Sequence, residues 1–290
     1  MTRQLKYIRA IVAMMIVVVA TTATAVAFDG ESQFAKLDGA RIHYKSFGKG
    51  KDALVLVHGW TCNLDNWRDQ IPDFAKRNRV ITLDLPGHGQ SDKPEIAYTM
   101  DLFANAIDAV MRDAKVERAV IVGHSMGTPV ARQFYRKYSQ KTLGIVIVDG
   151  GLRPFGTKEM REGFVAMFRA PTYKEAGAQM FAQMMGKLPA PDQERIKTSF
   201  ANTPQHVLVS AMESMNQDEL YGPDKINVPV LAILAKSPFW QPDTEQFFRS
   251  LAPDFELQWF EGVGHFVMME KPKEFNEAVI AFLNKKALLK

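Results

Sequence analysis

Cysteine is nearly absent from this chain of 290 residues, in which Cys62 is the only one. A single thiol excludes a disulfide within the chain, so stability must come from a packed core, and we expect Cys62 to be a buried, unreactive part of it. The six histidines are scattered, with no H-x-x-x-H or C-x-x-C pattern. No P-loop or G-x-G-x-x-G segment occurs either, so we expect neither a metal nor a nucleotide cofactor.

A charge excess of one sign is also lacking. The formal net charge is +4, and three of the cations lie in the first nine residues (Arg3, Lys6 and Arg9). Without these three, the 36 Lys and Arg fall to 33, against 32 Asp and Glu. No basic surface is therefore expected, which argues against a nucleic-acid partner. The partner expected from the motifs described below is a small-molecule substrate.

The N-terminal residues have the pattern of a secretory signal. The three cations are followed by an apolar run, Ala10–Ala20, and by small residues that end in Ala25-Val26-Ala27. This pattern predicts a signal peptide over residues 1–27, a mature chain from Phe28, and export to the periplasm or the medium. The alternative is a retained membrane anchor, because residues 10–27 approach the length that spans a bilayer. No later segment is long and apolar enough to span one.

Short apolar or alternating runs bounded by Gly, Pro or Asp predict seven strands, and longer amphipathic patterns between them predict helices. Strands that alternate with helices indicate an α/β fold with a mostly parallel sheet covered on both faces, whose ligands bind beyond the carboxyl ends of the strands. The predicted strands are Ala40–Lys45, Ala53–Val57, Val80–Leu83, Ala119–Val122, Leu143–Val148, Val230–Leu234 and Glu256–Phe260. The predicted helices are Leu102–Ala114, Met126–Tyr138, Thr244–Leu251 and Lys273–Leu283.

Residues 152–226 interrupt this alternation. They contain no convincing strand, yet they carry seven of the 15 methionines and several phenylalanines. We interpret them as a helical cap inserted into a core made of residues 28–151 and 227–290. Because methionine is flexible and polarisable, such a cap suits a hydrophobic acyl chain or aromatic ring, although most of these side chains are expected to pack on one another.

The segment Gly123-His124-Ser125-Met126-Gly127 matches G-x-S-x-G and stands between a predicted buried strand and a predicted helix. A sharp strand-to-helix turn exposes the serine hydroxyl, and the helix N-terminus directs N–H groups towards developing negative charge. Ser125 is therefore the predicted nucleophile. The N–H of Met126 is one predicted donor of an oxyanion hole.

A serine hydroxyl needs a base to remove its proton. His265 follows the last predicted strand and precedes the terminal helix, which places it at the same edge of the sheet as Ser125. His124 lies on the nucleophile's own turn, so its ring is expected to point elsewhere. His58-Gly59-Trp60 follows another buried strand, and the N–H of Trp60 is the second predicted oxyanion donor. The remaining histidines are interpreted as structural or ordinary residues.

Four motifs in this order resemble the α/β-hydrolase superfamily, on its esterase, lipase and cofactor-free haloperoxidase-like side. They are His58-Gly59-Trp60, the run from Asp84 to Asp92 (DLPGHGQSD), the serine motif, and Gly264-His265. The resemblance extends from about residue 41 to residue 283. It implies an eight-stranded sheet, a helical cap after strand six, and a catalytic triad of serine, acid and histidine.

The chain departs from that family pattern at the acid. The carboxylate usually follows the strand matched here by Val230–Leu234, but this chain has Ser237 at that place. A serine cannot carry the charge that supports an imidazolium. Two replacements are possible: Asp149 at the end of Leu143–Val148, which some members of the superfamily use, and Asp243, which can instead cap the helix from Thr244. We favour Asp149.

These residues predict a serine hydrolase that cleaves a carboxylic ester, thioester or lactone of an uncharged, fairly hydrophobic substrate. Within the same fold, the alternatives are a lactonase and a C–C bond hydrolase. From another class, the alternative is a non-catalytic ligand-binding protein, for which the displaced acid is the main argument.

Overall fold

The computed structural model describes residues 30–289. The predicted signal peptide and its cleavage site lie outside these residues. Within residues 30–289, no helix has the length and apolar character needed to cross a bilayer.

Residues 30–289 form one eight-stranded sheet. The strands are β1 (Ser32–Leu37), β2 (Ala40–Phe47), β3 (Ala53–Val57), β4 (Arg79–Leu83), β5 (Ala119–His124), β6 (Thr142–Val148), β7 (Val230–Ala235) and β8 (Phe255–Phe260). Their order across the sheet is β1-β2-β4-β3-β5-β6-β7-β8. The pairs β1–β2 and β2–β4 are antiparallel, and every other neighbouring pair is parallel. The prediction of a mostly parallel α/β sheet is confirmed.

The seven strands expected from the sequence are all present, with bounds that differ by no more than two residues at either end. Strands β3, β5 and β7 are buried along their whole length, because helices cover both faces of a parallel sheet and such strands are continuously apolar. Strand β1 was not predicted. It is an edge strand in which only Ala35 and Leu37 are buried, so its apolar alternation is too short to detect.

Helices pack on both faces of the sheet and join its strands. Those of the core are α1 (Ile71–Phe74), α2 (Met100–Asp113), α3 (Gly127–Lys137), α8 (Thr244–Leu251), α9 (Val267–Glu270) and α10 (Pro272–Lys286). The side chain of Thr99 accepts a hydrogen bond from the Leu102 N–H and so caps α2. The four predicted core helices are confirmed, with ends shifted by up to three residues.

Between β6 and β7 lie four helices: α4 (Lys158–Arg169), α5 (Tyr173–Met184), α6 (Ala190–Ala201) and α7 (Gln205–Met215). We call this segment the cap. Its bounds at residues 152 and 226 stay a prediction. The cap follows the carboxyl end of β6. Strands β3, β5 and β7 end at the same edge of the sheet. The loops that follow these strands therefore meet beneath the cap.

Candidate active site

Ser125 lies on the tight turn between β5 and α3. Its φ of +53° is in the left-handed region, which a side chain adopts only at a strain cost of about 1–3 kcal/mol. Its N–H donates to the Val148 carbonyl at 2.9 Å, and its carbonyl accepts from the Thr128 N–H at 2.9 Å. These two bonds hold the strained backbone in place, which fits a turn that presents a nucleophile.

The glycines on either side of Ser125 are required by close backbone approach. A Cβ at Gly123 would lie 2.1 Å from the Gly127 carbonyl oxygen. A Cβ at Gly127 would lie 2.6 Å from the carbonyl oxygen of Val57, at the end of β3. Strand, turn and helix can therefore fold this tightly only without side chains at these two positions.

The loop after β3 passes directly beside the nucleophile. A Cβ at Gly59 would lie 3.1 Å from the Ser125 Cβ, so the backbone that leads into Trp60 borders the serine side chain. Within residues 30–289, neither the Trp60 N–H nor the Met126 N–H takes part in a backbone–backbone hydrogen bond. Both amides stand on the two segments that border Ser125, as expected for an oxyanion hole.

The side chain of Trp60 fixes this loop to the cap. Its indole Nε1–H donates to the Leu208 carbonyl of α7 at 2.9 Å. Its ring packs against three cap phenylalanines with centroid separations of 4.9–6.3 Å (Phe168, Phe181 and Phe200). All three are buried, so these rings pack within the interface between cap and core. The expectation that most cap aromatics pack on one another fits these three.

Asp149 and His265 form the acid–imidazole pair of the site. The Nδ1 atom of His265 lies 2.6 Å from Asp149 Oδ2, and the other carboxylate oxygen accepts from the Ala235 N–H at 2.8 Å. Asp149 begins the loop after β6 with a φ of +44°, and its own N–H donates to the Ile233 carbonyl of β7. Because Nδ1–H donates to a carboxylate, Nε2 carries the lone pair that a general base needs.

The other candidate acid lies elsewhere. The carboxylate of Asp243 is exposed and pairs with both terminal nitrogens of Arg153, at 2.6 and 3.2 Å. Asp243 occupies the N-cap position of α8, but its side chain makes no capping hydrogen bond. Ser237, which stands at the usual family position of the acid, is exposed to solvent. Of the two candidate acids, the structure brings Asp149 to His265.

The backbone of His265 is fixed on both sides, which the sequence did not indicate. Its N–H donates to the Met184 carbonyl at the end of α5, at 3.0 Å. Its carbonyl lies 2.9 Å from Nε2 of His124, whose ring is 4.7 Å from the His265 ring by centroids. His124 thus turns its ring to the His265 loop. Within residues 30–289 its buried Nδ1 has no hydrogen-bond partner, and burial lowers the pKa of the ring well below the ordinary range.

A second Ser-His-Asp arrangement lies at the far edge of the sheet. Nε2 of His43 is 3.0 Å from Ser32 Oγ, and its Nδ1 is 2.7 Å from Asp84 Oδ2. Asp84 also accepts from the N–H groups of Leu64 and Gln90, and these contacts hold its pKa below the ordinary value despite burial. Ser32 stands in a strand, with no helix N-terminus after it. The arrangement at Ser32 therefore lacks the geometry of an oxyanion hole. We interpret these contacts as structural, because they link β1, β2 and the loop after β4.

Three buried histidines make stability depend on pH. Burial lowers the pKa of His58 and His124 and lowers that of His88 to about 3. Below pH 6.5 these histidines therefore bind protons in the unfolded chain but not in the folded chain. The free energy of unfolding consequently falls as the pH falls from 6.5 towards 3. We expect the free energy of unfolding to drop by up to about 1.4 kcal/mol per pH unit for each such group.

Urea denaturation at pH 7, 6, 5 and 4 measures this slope. His88→Gln should make the curve flatter, whereas His206→Gln, at an exposed position, should leave it unchanged. A slope that is equal in wild type and His88→Gln would contradict the assignment to His88.

Cys62 is buried, and burial raises the pKa of its thiol to about 12. This agrees with the expectation of an unreactive core thiol. Among residues 30–289, no three His, Cys, Asp or Glu side chains form a group able to hold a metal ion.

The chain is similar to known proteins along most of its length. A family model described as the alpha/beta hydrolase fold matches residues 52–272. The chain is 28% identical over 278 residues to the 2-hydroxy-6-oxo-6-(2'-aminophenyl)hexa-2,4-dienoic acid hydrolase of Metapseudomonas resinovorans, covering 88% of this chain and 91% of that one. It is 29% identical to the solved structure of Est816, described as an N-acyl homoserine lactone degrading enzyme, with a TM-score of 0.75 over 86% of this chain and all of that one.

A shorter region of the chain is similar in sequence to part of a larger protein. Over 135 residues, or 46% of this chain, it is 36% identical to the dihydrolipoyllysine-residue acetyltransferase component of the acetoin cleaving system of Cupriavidus necator. The match spans 36% of that protein's length.

Proposed function

The chain belongs to the α/β-hydrolase family, and from this premise we propose that it is a serine hydrolase that forms an acyl-enzyme on Ser125. The observation that carries the proposal is the 2.6 Å contact between His265 Nδ1 and Asp149 Oδ2, on the loops that meet at the Ser125 turn. It supplies the carboxylate that the sequence lacks at position 237. This contact therefore counts against a non-catalytic binding protein, for which the displaced acid was the main argument.

The proposed reaction has two halves. Ser125 Oγ attacks the substrate carbonyl while His265 Nε2 takes its proton, and the Trp60 and Met126 N–H groups stabilise the oxyanion. The imidazolium, held by Asp149, then gives that proton to the leaving group as the acyl-enzyme forms. Water attacks the acyl-enzyme in the same way, returns Ser125 as a hydroxyl and releases the acid.

We propose an uncharged, fairly hydrophobic ester, thioester or lactone as the substrate. Support comes from exposed aromatic surface on the two loops that follow β6 and β7. Phe155 and Phe239 stack at 4.7 Å between ring centroids, although 40% and 58% of their respective surfaces remain exposed. Phe164 of α4 extends this surface at 5.8 Å from Phe155. Exposed apolar surface of this kind favours contact with an apolar group of a ligand.

A C–C bond hydrolase is the second candidate, because the relative from Metapseudomonas resinovorans is named for a dienoic acid substrate and matches nearly the whole chain. A lactonase is supported in the same way by the lactone-degrading activity ascribed to Est816. Each of these reactions can begin with the attack of an activated serine on a carbonyl group, so the distinction must come from substrates.

The experiment that tests the function measures initial rates of the chain from Phe28 on p-nitrophenyl esters of two to ten carbons, an N-acyl homoserine lactone and a 2-hydroxy-6-oxo-dienoate. We expect turnover of the esters, with rates that rise from acetyl to medium chains because the apolar surface binds the longer acyl group. Preference for the lactone or the dienoate would replace the ester assignment with the corresponding alternative. Turnover of none, with no fluorophosphonate adduct on Ser125, would overturn the proposal.

We further propose that the protein is exported and that residues 1–27 are removed. The basic, apolar and small-residue segments of the N-terminus support this. The intact mass of the protein recovered after expression of the full chain tests it. A chain that begins at Phe28 is expected, and the full-length mass in the membrane fraction would instead indicate a retained anchor.

A further inference from the structure

Glu270 lies on α9, five residues after His265, and joins that histidine's loop to the cap. One carboxylate oxygen, Oε1, accepts from the Gly264 N–H at 2.7 Å. The other, Oε2, accepts from the Lys187 N–H just beyond the end of α5, at 3.1 Å. We propose that Glu270 is a positioning residue for His265, which it holds by linking the His265 loop to the cap.

The two segments that Glu270 joins also touch each other. The His265 N–H donates to the Met184 carbonyl, and a Cβ at Gly264 would lie 2.8 Å from that same carbonyl oxygen and 2.9 Å from the Gly186 Cα. Gly186 has a φ of +54°, and a Cβ there would lie 2.6 Å from Glu270 Oε1. The end of α5, the His265 loop and the Glu270 carboxylate therefore form one tightly packed junction.

This junction acts on the catalytic base through its backbone. The Gly264 N–H is held by Glu270, the His265 N–H by Met184, and the His265 carbonyl by His124. Of these three backbone bonds, the one to Glu270 has a carboxylate as acceptor, and such hydrogen bonds are roughly twice as strong as neutral ones. The imidazole must contact both Asp149 and the serine hydroxyl. A more mobile His265 backbone would therefore displace the base from the position that catalysis requires.

The consequence concerns catalysis more than substrate binding, and it rests on the proposed function. Glu270 touches neither Ser125 nor the oxyanion donors, so its loss should leave KM nearly unchanged. We expect Glu270→Ala to lower kcat by roughly 10- to 100-fold, the size of effect that a small misplacement of a catalytic group produces. Glu270→Gln keeps one acceptor oxygen and should lose less.

Gly186→Ala tests the same junction from the cap. Its added Cβ should push the carboxylate away, and the expected result is a fall in kcat like that of Glu270→Ala. Two matched controls should behave as wild type: Glu274→Gln removes an exposed carboxylate on the neighbouring α10, and Gly163→Ala adds a methyl group to open space on α4.

The experiment measures kcat and KM per active site, counted by fluorophosphonate titration, together with the proton resonance of His265 Nδ1–H by NMR. We expect a lower kcat, a similar KM, and a shifted or broadened Nδ1–H signal in Glu270→Ala and Gly186→Ala. Unchanged kcat and signal in both would overturn the proposal, and if Glu270→Ala does not fold, Gly186→Ala decides alone. If wild type turns over no substrate, the proposed function fails, while the NMR comparison still tests the positioning.

Discussion

Replacing Ser125 with alanine is expected to lower kcat on the best p-nitrophenyl ester by roughly three to six orders of magnitude. The variant keeps the oxyanion amides, the Asp149–His265 pair and the cap, but no oxygen remains to attack the carbonyl. Residual hydrolysis above the uncatalysed rate should come from binding and the oxyanion hole alone. The fall should appear in kcat, since the side chain lost is small and bonds to the substrate only as the reaction proceeds.

Fluorophosphonate labelling read by intact mass gives this prediction its control. Wild type should gain one adduct and Ser125→Ala none. Ser32→Ala should label as wild type, because Ser32 contacts a histidine but stands in a strand without a following helix. An adduct on Ser32 in the Ser125→Ala variant would show that the second Ser-His-Asp arrangement is reactive. Full activity of Ser125→Ala would overturn the assigned nucleophile.

Most of the sheet could be predicted because its strands carry their signal locally. A strand such as Ala53–Val57 is apolar throughout, since both of its faces are covered. The edge strand Ser32–Leu37 was missed because it pairs with a neighbouring strand on one side only. Just two of its residues are buried, so its apolar pattern is short. The fold followed from the regular order of strands and helices, which a missing edge strand does not disturb.

Ser125 and the oxyanion segments could be proposed from sequence because each follows a buried strand within two or three residues. The acid could not be settled in this way. Strands β6 and β7 are neighbours in the sheet, so the loops after both lead to the same place beside His265. Order along the chain cannot decide which loop supplies the carboxylate. In the structure, the register that pairs Val148 with Ile233 and the bond from the Ala235 N–H to Asp149 accompany the contact of Asp149 with His265.

The contacts between the cap and the His265 loop had no sequence signal at all. Met184 contributes only its carbonyl, which every residue possesses, and Lys187 only its N–H. Glu270 follows His265 on a short helix and looks like an ordinary surface carboxylate in the sequence. Tertiary contacts made by backbone groups become visible only once the chain is folded, so the support of the catalytic base is the part of the site that sequence reasoning missed.

Asp149→Asn is expected to lower kcat by about four orders of magnitude, whereas Asp243→Asn should stay within about twofold of wild type, because the exposed carboxylate of Asp243 pairs with Arg153 and not with His265. The amide of asparagine can still accept from the Ala235 N–H, so the fold and the loop should survive. It carries no negative charge to stabilise the imidazolium, and its NH₂ group can face Nδ1 and favour the wrong imidazole tautomer.

The two variants form a matched pair, since each exchanges one carboxylate for an amide of the same shape, Asp149 at the start of the loop after β6 and Asp243 at the start of α8. Their kcat values should be compared at a temperature well below the thermal midpoint of each variant, so that both are fully folded in the assay. Asp243 bonds to Arg153 at the surface, and its loss should cost only that pair. If Asp149→Asn keeps near-full activity while Asp243→Asn loses it, the loop after β7 must rearrange to bring Asp243 to His265, and the Asp149–His265 contact is then not the one that supports catalysis.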